Sequence, residues 1–145
     1  MRGRGLFARL IRAASDRRER VRATHVGIAV DRAHVVEAIP EGVVCRGYRA
    51  GQVYRPTNLT PQERLRIAER ARSFVGRPYG WGKILLHAMR LERLAVMEGF
   101  PICSWVAAAA YASEGYHFGV SYRRATPDDI EDFILAHPDR YQRVV

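Results

Sequence analysis

Two adjacent strand-like segments, separated only by a short turn, constrain the fold of this chain more than any other feature. Residues 24–30 and 33–39 are rich in apolar and β-branched side chains, and Asp31-Arg32 lies between them. Two such segments with a short polar connection are typical of an antiparallel β-hairpin. The hairpin predicts an antiparallel sheet of three or four strands, to which residues 42–48 and 52–55 contribute short strand candidates.

Helix signals dominate the second half of the chain. Thr60 with Glu63 forms a capping box, and Pro61 takes the first helical position. Gly76 predicts the end of that helix before Pro78. Further elements are predicted as helices over residues 6–14 and 81–97, from Cys103 to Gly115 and from Thr126 to Ala136, and as an edge strand over 141–145.

These patterns predict an α+β fold, with a small antiparallel sheet packed against helices. At 145 residues the chain can build one core but not two, so we expect a single domain over residues 1–145. Residues 1–24 would be its basic amphipathic N-terminal helix and connector. No apolar run approaches the roughly 20 residues of a membrane span, and no signal-peptide pattern occurs. A cytoplasmic location is the default expectation, and a phage-borne or lysis-released protein fits equally well.

Positive charge is concentrated near the start of the chain. The net charge is +9, and residues 1–24 carry eight arginines against Asp16 and Glu19. A solvated helix face explains this distribution, and so does weak attraction to an anionic surface, so both interpretations stay open. Specific nucleic-acid binding is not expected, because the sequence has neither a zinc-finger spacing nor a recognition-helix signature.

Cysteine usage is sparse. Cys45 and Cys103 are the two cysteines, which is too few for a disulfide framework. Cys45 alternates with Val43 in a strand-like run and is expected to be buried and inert. No spacing such as Cys-x-x-Cys or His-Glu-x-x-His occurs, so we expect neither a metal nor another cofactor.

Three chemically active side chains are expected to meet. If the hairpin turns around residues 31–33, Glu37 lies opposite Gly27 and diagonal to His25, on one face of the sheet. Glu37 can then accept a hydrogen bond from one imidazole nitrogen, which leaves the other nitrogen to face a thiol. A turn one residue longer or shorter would put Glu37 on the opposite face. Cys103 would supply the thiol from a helix start, where the dipole and free N–H groups stabilise a thiolate.

Five short motifs occur in order along the chain: Thr24-His25-Val26-Gly27-Ile28, Val36-Glu37-Ala38, Gly42-Val43, Gly76-Arg77-Pro78-Tyr79 and Cys103-Ser104. Together they resemble the motifs of the circularly permuted NlpC-type papain-like hydrolases, the YiiX-like group. The resemblance extends from about Leu6 to Ile134. It implies a permuted papain-like fold, in agreement with a histidine that precedes the cysteine, the reverse of papain's order.

The resemblance also implies roles for individual residues. His25 would be the base, Glu37 the orienting acid and Cys103 the nucleophile of a cysteine peptidase or amidase. Tyr79, Ser104 and Trp105 would lie near the substrate or the oxyanion. Two departures from the family pattern are visible. Trp105 replaces the glutamate that usually follows Cys-Ser, and the Gly-Asp-containing strand that precedes the first helix in the family is either missing or lies upstream of Met1.

The implied activity is hydrolysis of an amide bond in a peptide, with cell-wall peptides as the expected substrate class. Two alternatives stay open at this point. One is a lipid acyltransferase or thioesterase with the same triad. The other is a non-enzymatic structural or binding module, for example a virion component, with a vestigial site. The sequence does not predict an oligomeric state.

Overall fold

A computed structural model describes residues 23–49, 51–80 and 102–144. The helices predicted over 6–14 and 81–97 lie outside these ranges. The described residues form an α+β structure with antiparallel sheets, which confirms the predicted class. Its elements are β1 (Ile28–Ala29), β2 (His34–Ile39), β3 (Gly42–Gly47), β4 (Tyr54–Pro56), α1 (Pro61–Arg72), α2 (Cys103–Ala112), α3 (Pro127–Ala136) and β5 (Tyr141–Arg143).

The main sheet contains three antiparallel strands in the order β1-β2-β3. Ile28 pairs with Val36 and Ala29 with Val35, so the hairpin has the predicted alignment. The β1 ladder is shorter than the predicted strand over residues 24–30. Gly27 precedes it directly, and glycine weakens the interior of a strand.

The remaining two strands form a separate sheet that the sequence did not predict. β4 and β5 pair antiparallel, from Tyr54 with Arg143 to Pro56 with Tyr141. The strand predicted near the C-terminus is therefore present, and its partner is β4. Proline cannot donate a ladder hydrogen bond, so Pro56 suits a strand at a sheet edge.

Local capping defines where α1 and α3 begin. At α1, the Thr60 hydroxyl accepts from the Glu63 N–H at 3.2 Å, and the Glu63 carboxylate accepts from the Thr60 N–H at 2.7 Å. Thr126 and Asp129 form the same reciprocal pair at the start of α3, at 3.1 and 2.9 Å. Within the described ranges, no helix has both the length and the apolar character needed to cross a bilayer.

The alanine-rich helix α2 packs against β2, α1 and α3. Small side chains let its backbone approach these neighbours closely, and Val106 and Ala110 on α2 have no exposed surface. Phe74, just after α1, is also fully buried. The core contains side chains from the sheet, α1 and α2: Val36, Ala38, Val43, Ile67, Ala71, Val106, Ala107 and Ala110.

Cys45 is exposed, so the prediction that it is buried is wrong. β3 is an edge strand, and the segment after α1 covers only its first part. There the Val43 N–H donates to the Arg77 carbonyl and the Gly76 N–H to the Val43 carbonyl, both at 2.9 Å. Cys45 lies two residues beyond this cover, and its side chain therefore reaches solvent.

The same close contact predicts a strong effect of substitution at Gly42. This residue has φ +129°, and a Cβ there would lie 2.8 Å from the Arg77 carbonyl oxygen. We expect Gly42→Ala to lower the free energy of unfolding by about 2–3 kcal/mol, because it combines backbone strain with a backbone clash. Urea denaturation measures this change.

Gly47, at the other end of β3, is the matched control. The nearest atom to a Cβ at Gly47 is 4.0 Å away. Gly47→Ala should therefore change the free energy of unfolding by no more than about 0.5 kcal/mol. Equal losses in the two variants would contradict the proposed clash.

Candidate active site

The structure brings His25, Glu37 and Cys103 together from three parts of the chain. His25 precedes β1, Glu37 lies in β2 and Cys103 is the first residue of α2. The Nε2 atom of His25 and the Oε2 atom of Glu37 form a hydrogen bond. The His25 imidazole also interacts electrostatically with the Cys103 side chain, which raises the pKa of the imidazole. Because Nε2 is engaged by Glu37, Nδ1 is the ring nitrogen left for the thiol.

The hairpin alignment explains how His25 reaches Glu37. Continuing the pairing of Ile28 with Val36 by one residue places Gly27 opposite Glu37. A Cβ at Gly27 would lie 2.8 Å from the Val35 side chain and 3.2 Å from Glu37 Cβ. A side chain at position 27 would therefore collide with β2, which carries the hydrogen-bonding partner of His25.

Arg46 is a fourth member of the site that the sequence reasoning missed. Its Nε atom donates a hydrogen bond to Oε1 of Glu37. The register pairs Glu37 with Val44, so Arg46 is the diagonal neighbour of Glu37 on the next strand. The β2–β3 register was therefore the signal that could have revealed this pair.

Glu37 is a nearly buried anion. Its side chain is 8% exposed, against 35% for His25 and 38% for Arg46. Burial by itself would raise the pKa of Glu37, but the hydrogen bonds and positive charges of Arg46 and His25 outweigh burial and lower the pKa overall. Glu37 is therefore ionised at neutral pH.

His25 is held in its protonated form. Burial lowers its pKa, whereas the hydrogen bond and charge of Cys103, followed by those of Glu37, raise it. The net result is a pKa raised from 6.5 to about 8. A protonated imidazole between a carboxylate and a sulfur atom stabilises a thiolate.

Cys103 lies at the start of α2 and is 3% exposed. The residue before it, Ile102, is the N-cap of the helix and has no polar side chain to accept from the first N–H groups. Those N–H groups and the positive end of the helix dipole lie beside the sulfur atom. The same groups can bind an oxyanion that forms next to Cys103.

The Tyr79 side chain interacts electrostatically with Cys103. Its side chain is nearly buried, and burial together with the charge of Cys103 raises the pKa of the phenol. The hydroxyl is thus a neutral hydrogen-bond donor at physiological pH. The proximity agrees with the predicted position of Tyr79 near the oxyanion, and its contact with a substrate stays a prediction.

Ser104 and Trp105 follow the cysteine but have different surroundings. The Ser104 side chain is fully buried, and its hydroxyl has no hydrogen-bond partner within the part of the chain that the structure describes. The ring of Trp105 packs against Phe74 and Tyr122, with centroids 5.0 and 6.4 Å apart. Two residues correspond to about 200° around a helix, so Trp105 and Cys103 leave α2 on opposite sides. Substrate contacts by Ser104 and Trp105 stay predictions.

The site contains the Cys103 sulfur atom, the His25 imidazole and the Glu37 carboxylate one after another, with the Arg46 guanidinium at the far end. This arrangement is suited to nucleophilic attack by sulfur with proton transfer through His25. Among residues 23–49, 51–80 and 102–144, no group of three or more His, Cys, Asp and Glu side chains is arranged to hold a metal ion.

Comparisons of the chain with protein-family models, with curated proteins and with solved structures found no match. The sequence motifs and the geometry of His25, Glu37, Arg46 and Cys103 are therefore the observations that bear on function.

The raised pKa of His25 predicts how stability depends on pH. The imidazole has a pKa of 6.5 when unperturbed and about 8 in the folded protein, so the folded state binds more protons between these values. The resulting stabilisation is complete below about pH 6.5 and is lost as the pH rises through about 8. Urea denaturation should give a lower free energy of unfolding at about pH 8.5 than at about pH 6.

His25→Gln should remove this part of the pH dependence, because glutamine does not titrate. His117→Gln removes an exposed imidazole outside the site and should retain the original dependence. Identical pH dependence in the unaltered protein and His25→Gln would contradict the interpretation.

Proposed function

We propose that the chain is a cysteine hydrolase with a permuted papain-like fold, and that it cleaves an amide bond in a peptide. Cys103 is the nucleophile, His25 the general base and acid, and Glu37 the orienting acid. The observation that supports this proposal is the position of one imidazole, which hydrogen-bonds to Glu37 and interacts with the Cys103 side chain.

The order of these residues along the chain supports the permuted form of the fold. His25 lies just before β1 and Glu37 lies in β2, and both precede the Cys103 helix in the chain. In papain the cysteine comes first. A permutation that moves the sheet ahead of the helix would reverse the order and preserve the contact between them.

The first half of the reaction forms an acyl-enzyme. In the ion pair of Cys103 with His25, the Cys103 proton lies on Nδ1 of the imidazolium, and the thiolate sulfur attacks the carbonyl carbon of the substrate. Backbone N–H groups at the start of α2 stabilise the oxyanion of the tetrahedral intermediate. The imidazolium then donates its proton to the amide nitrogen, the C–N bond breaks and the amine leaves, so that a thioester remains on Cys103.

The second half regenerates the thiol. Neutral His25 accepts a proton from water, and the resulting hydroxide attacks the thioester carbon. The C–S bond breaks, the carboxylic acid leaves and the sulfur recovers a proton from His25. Throughout, Glu37 accepts from Nε2, which maintains the tautomer and stabilises the imidazolium whenever it forms.

Cell-wall peptides are the proposed substrate class, on the basis of the motifs shared with NlpC-type hydrolases. The same nucleophile could transfer an acyl group from a lipid ester or thioester, and a vestigial site would do neither. Activity assays on peptide, ester and thioester substrates distinguish the three cases.

The reactivity of Cys103 tests the nucleophile independently of any substrate. Because Cys45 is exposed and would react first, the experiment uses a Cys45→Ser background. Burial slows access of iodoacetamide to Cys103 equally at every pH. The ratio of the alkylation rates at about pH 8.5 and pH 6 is therefore independent of burial and reports ionisation of the thiol. An ordinary thiol loses about a hundredfold in rate over this range.

We expect the alkylation rate of Cys103 to fall by less than about tenfold between about pH 8.5 and pH 6, because its thiolate is paired with the His25 imidazolium. His25→Ala should restore the steep dependence of an ordinary thiol, as measured by mass spectrometry of the alkylated protein. Cys103→Ser, which retains Cys45, provides the exposed reference thiol. A steep dependence for Cys103 before substitution would contradict the proposed nucleophile.

Turnover tests the orienting acid. Glu37→Gln retains the shape of the side chain but removes the charge that stabilises imidazolium, so kcat on peptidoglycan stem peptides should fall by up to about 10⁴-fold. Glu41→Gln, an exposed change in the turn between β2 and β3, is the matched control and should retain full turnover. Circular dichroism would show that both variants are folded.

Two results would contradict the proposed mechanism. Full activity of Glu37→Gln would contradict its orienting role. Peptide hydrolysis that persists in Cys103→Ala would exclude the cysteine mechanism altogether.

A further inference from the structure

The Glu37 carboxylate has two different partners, one on each oxygen. Oε1 accepts from Nε of Arg46 in β3, and Oε2 pairs with Nε2 of His25 before β1. Two bonds in different directions define the plane of the carboxylate. One partner is a residue of the proposed triad, and the other has no role in the proposed reaction.

We propose that Arg46 is a positioning residue, which holds the buried Glu37 carboxylate ionised and oriented toward His25. The catalytic meaning of this inference rests on the proposed function, but the contacts themselves do not. Removing an opposite charge from a nearly buried carboxylate favours its neutral form. A neutral or rotated Glu37 would no longer stabilise the protonated imidazole.

The two cations beside Glu37 behave differently during turnover. His25 gains and loses its proton in each half of the proposed reaction, so its charge is intermittent. The guanidinium of Arg46 remains charged at every accessible pH. Arg46 therefore gives the carboxylate a permanent counter-charge while His25 is neutral.

Burial distinguishes this pair from an ordinary surface ion pair. Exposed pairs contribute little to stability and are often dispensable. Glu37 is 6% exposed as a residue, so water cannot replace Arg46 as its partner as it would at a surface. A surface pair would have no measurable effect on His25.

The charged and titratable groups around His25 and Glu37 come from each neighbouring element. Arg46 belongs to β3 and Cys103 to α2, and the Tyr79 phenol belongs to the segment after α1. Arg46 is the permanent cation in this set.

Removal of Arg46 could change the pKa of His25 in either direction. Loss of positioning would lower the pKa of His25, whereas loss of a repelling cation would raise it.

An NMR titration of His25 in the full chain separates these effects. The imidazole signal is assigned by its disappearance in His25→Gln. The unaltered protein should titrate with a pKa of about 8. Arg46→Met should lower this pKa measurably, because burial then acts on His25 without an oriented carboxylate and only the effect of Cys103 opposes it. Arg46→Lys retains a positive charge and should recover at least half of the difference.

Arg55→Met is the matched control. It removes one exposed arginine from β4, in the separate two-stranded sheet, and should leave the His25 titration unchanged. If Arg46→Met does not fold, Arg46→Gln replaces it, since the amide retains a hydrogen-bond donor without the charge. An unchanged or raised pKa of His25 in a folded Arg46 variant would overturn the proposal.

These outcomes can be separated from failure of the proposed function, because the titration needs no substrate. A chain without hydrolase activity could still show the shift in His25. With an active enzyme, Arg46→Met should lower kcat by at least about tenfold with little change in KM, and the pH profile should shift with His25. A change confined to KM would contradict a positioning role.

Discussion

The Glu37 carboxylate lies almost completely buried in the central strand of a three-stranded sheet, where an isolated negative charge would be strongly unfavourable. Its two partners offset that penalty from opposite sides: Arg46 across the β2–β3 ladder, and His25 across the start of the hairpin. Each contact depends on strand register, since a shift of one residue would turn Glu37 to the opposite face. The electrostatics of the site are therefore a consequence of how the sheet is aligned.

From this pair the interactions extend to Cys103. The imidazole that binds Glu37 also interacts with Cys103, so an arginine, a carboxylate, an imidazole and a sulfur atom follow one another in space. When His25 carries its proton and Cys103 has lost its own, charges alternate along the series and sum to zero. Such an arrangement supports a thiolate without leaving a net charge in a nearly buried site.

Packing of α2 determines where the thiol lies. Small residues on this helix allow close contact with β2 and α1, so the first turn of α2 reaches the sheet beside His25. Trp105 leaves the helix on the other side and packs on Phe74, where it adds to the core. Gly42 makes a comparable close approach possible between the β2–β3 turn and the Arg77 carbonyl, near Tyr79. The close contacts of α2 and of Gly42 leave no room for larger side chains, and these contacts set the positions of the helix and the sheet.

Local signals in the sequence were sufficient for the capped helix starts at Thr60 and Thr126 and for the hairpin alignment that brings Glu37 to His25. These features depend on residues close together in the chain, whose hydrogen bonds and side-chain alternation follow short-range rules. The tertiary structure alone decided the exposure of Cys45, the pairing of β4 with β5 and the partner role of Arg46. Each of these depends on which distant segments cover a strand or share its edge, and side-chain periodicity within one segment carries no information about that.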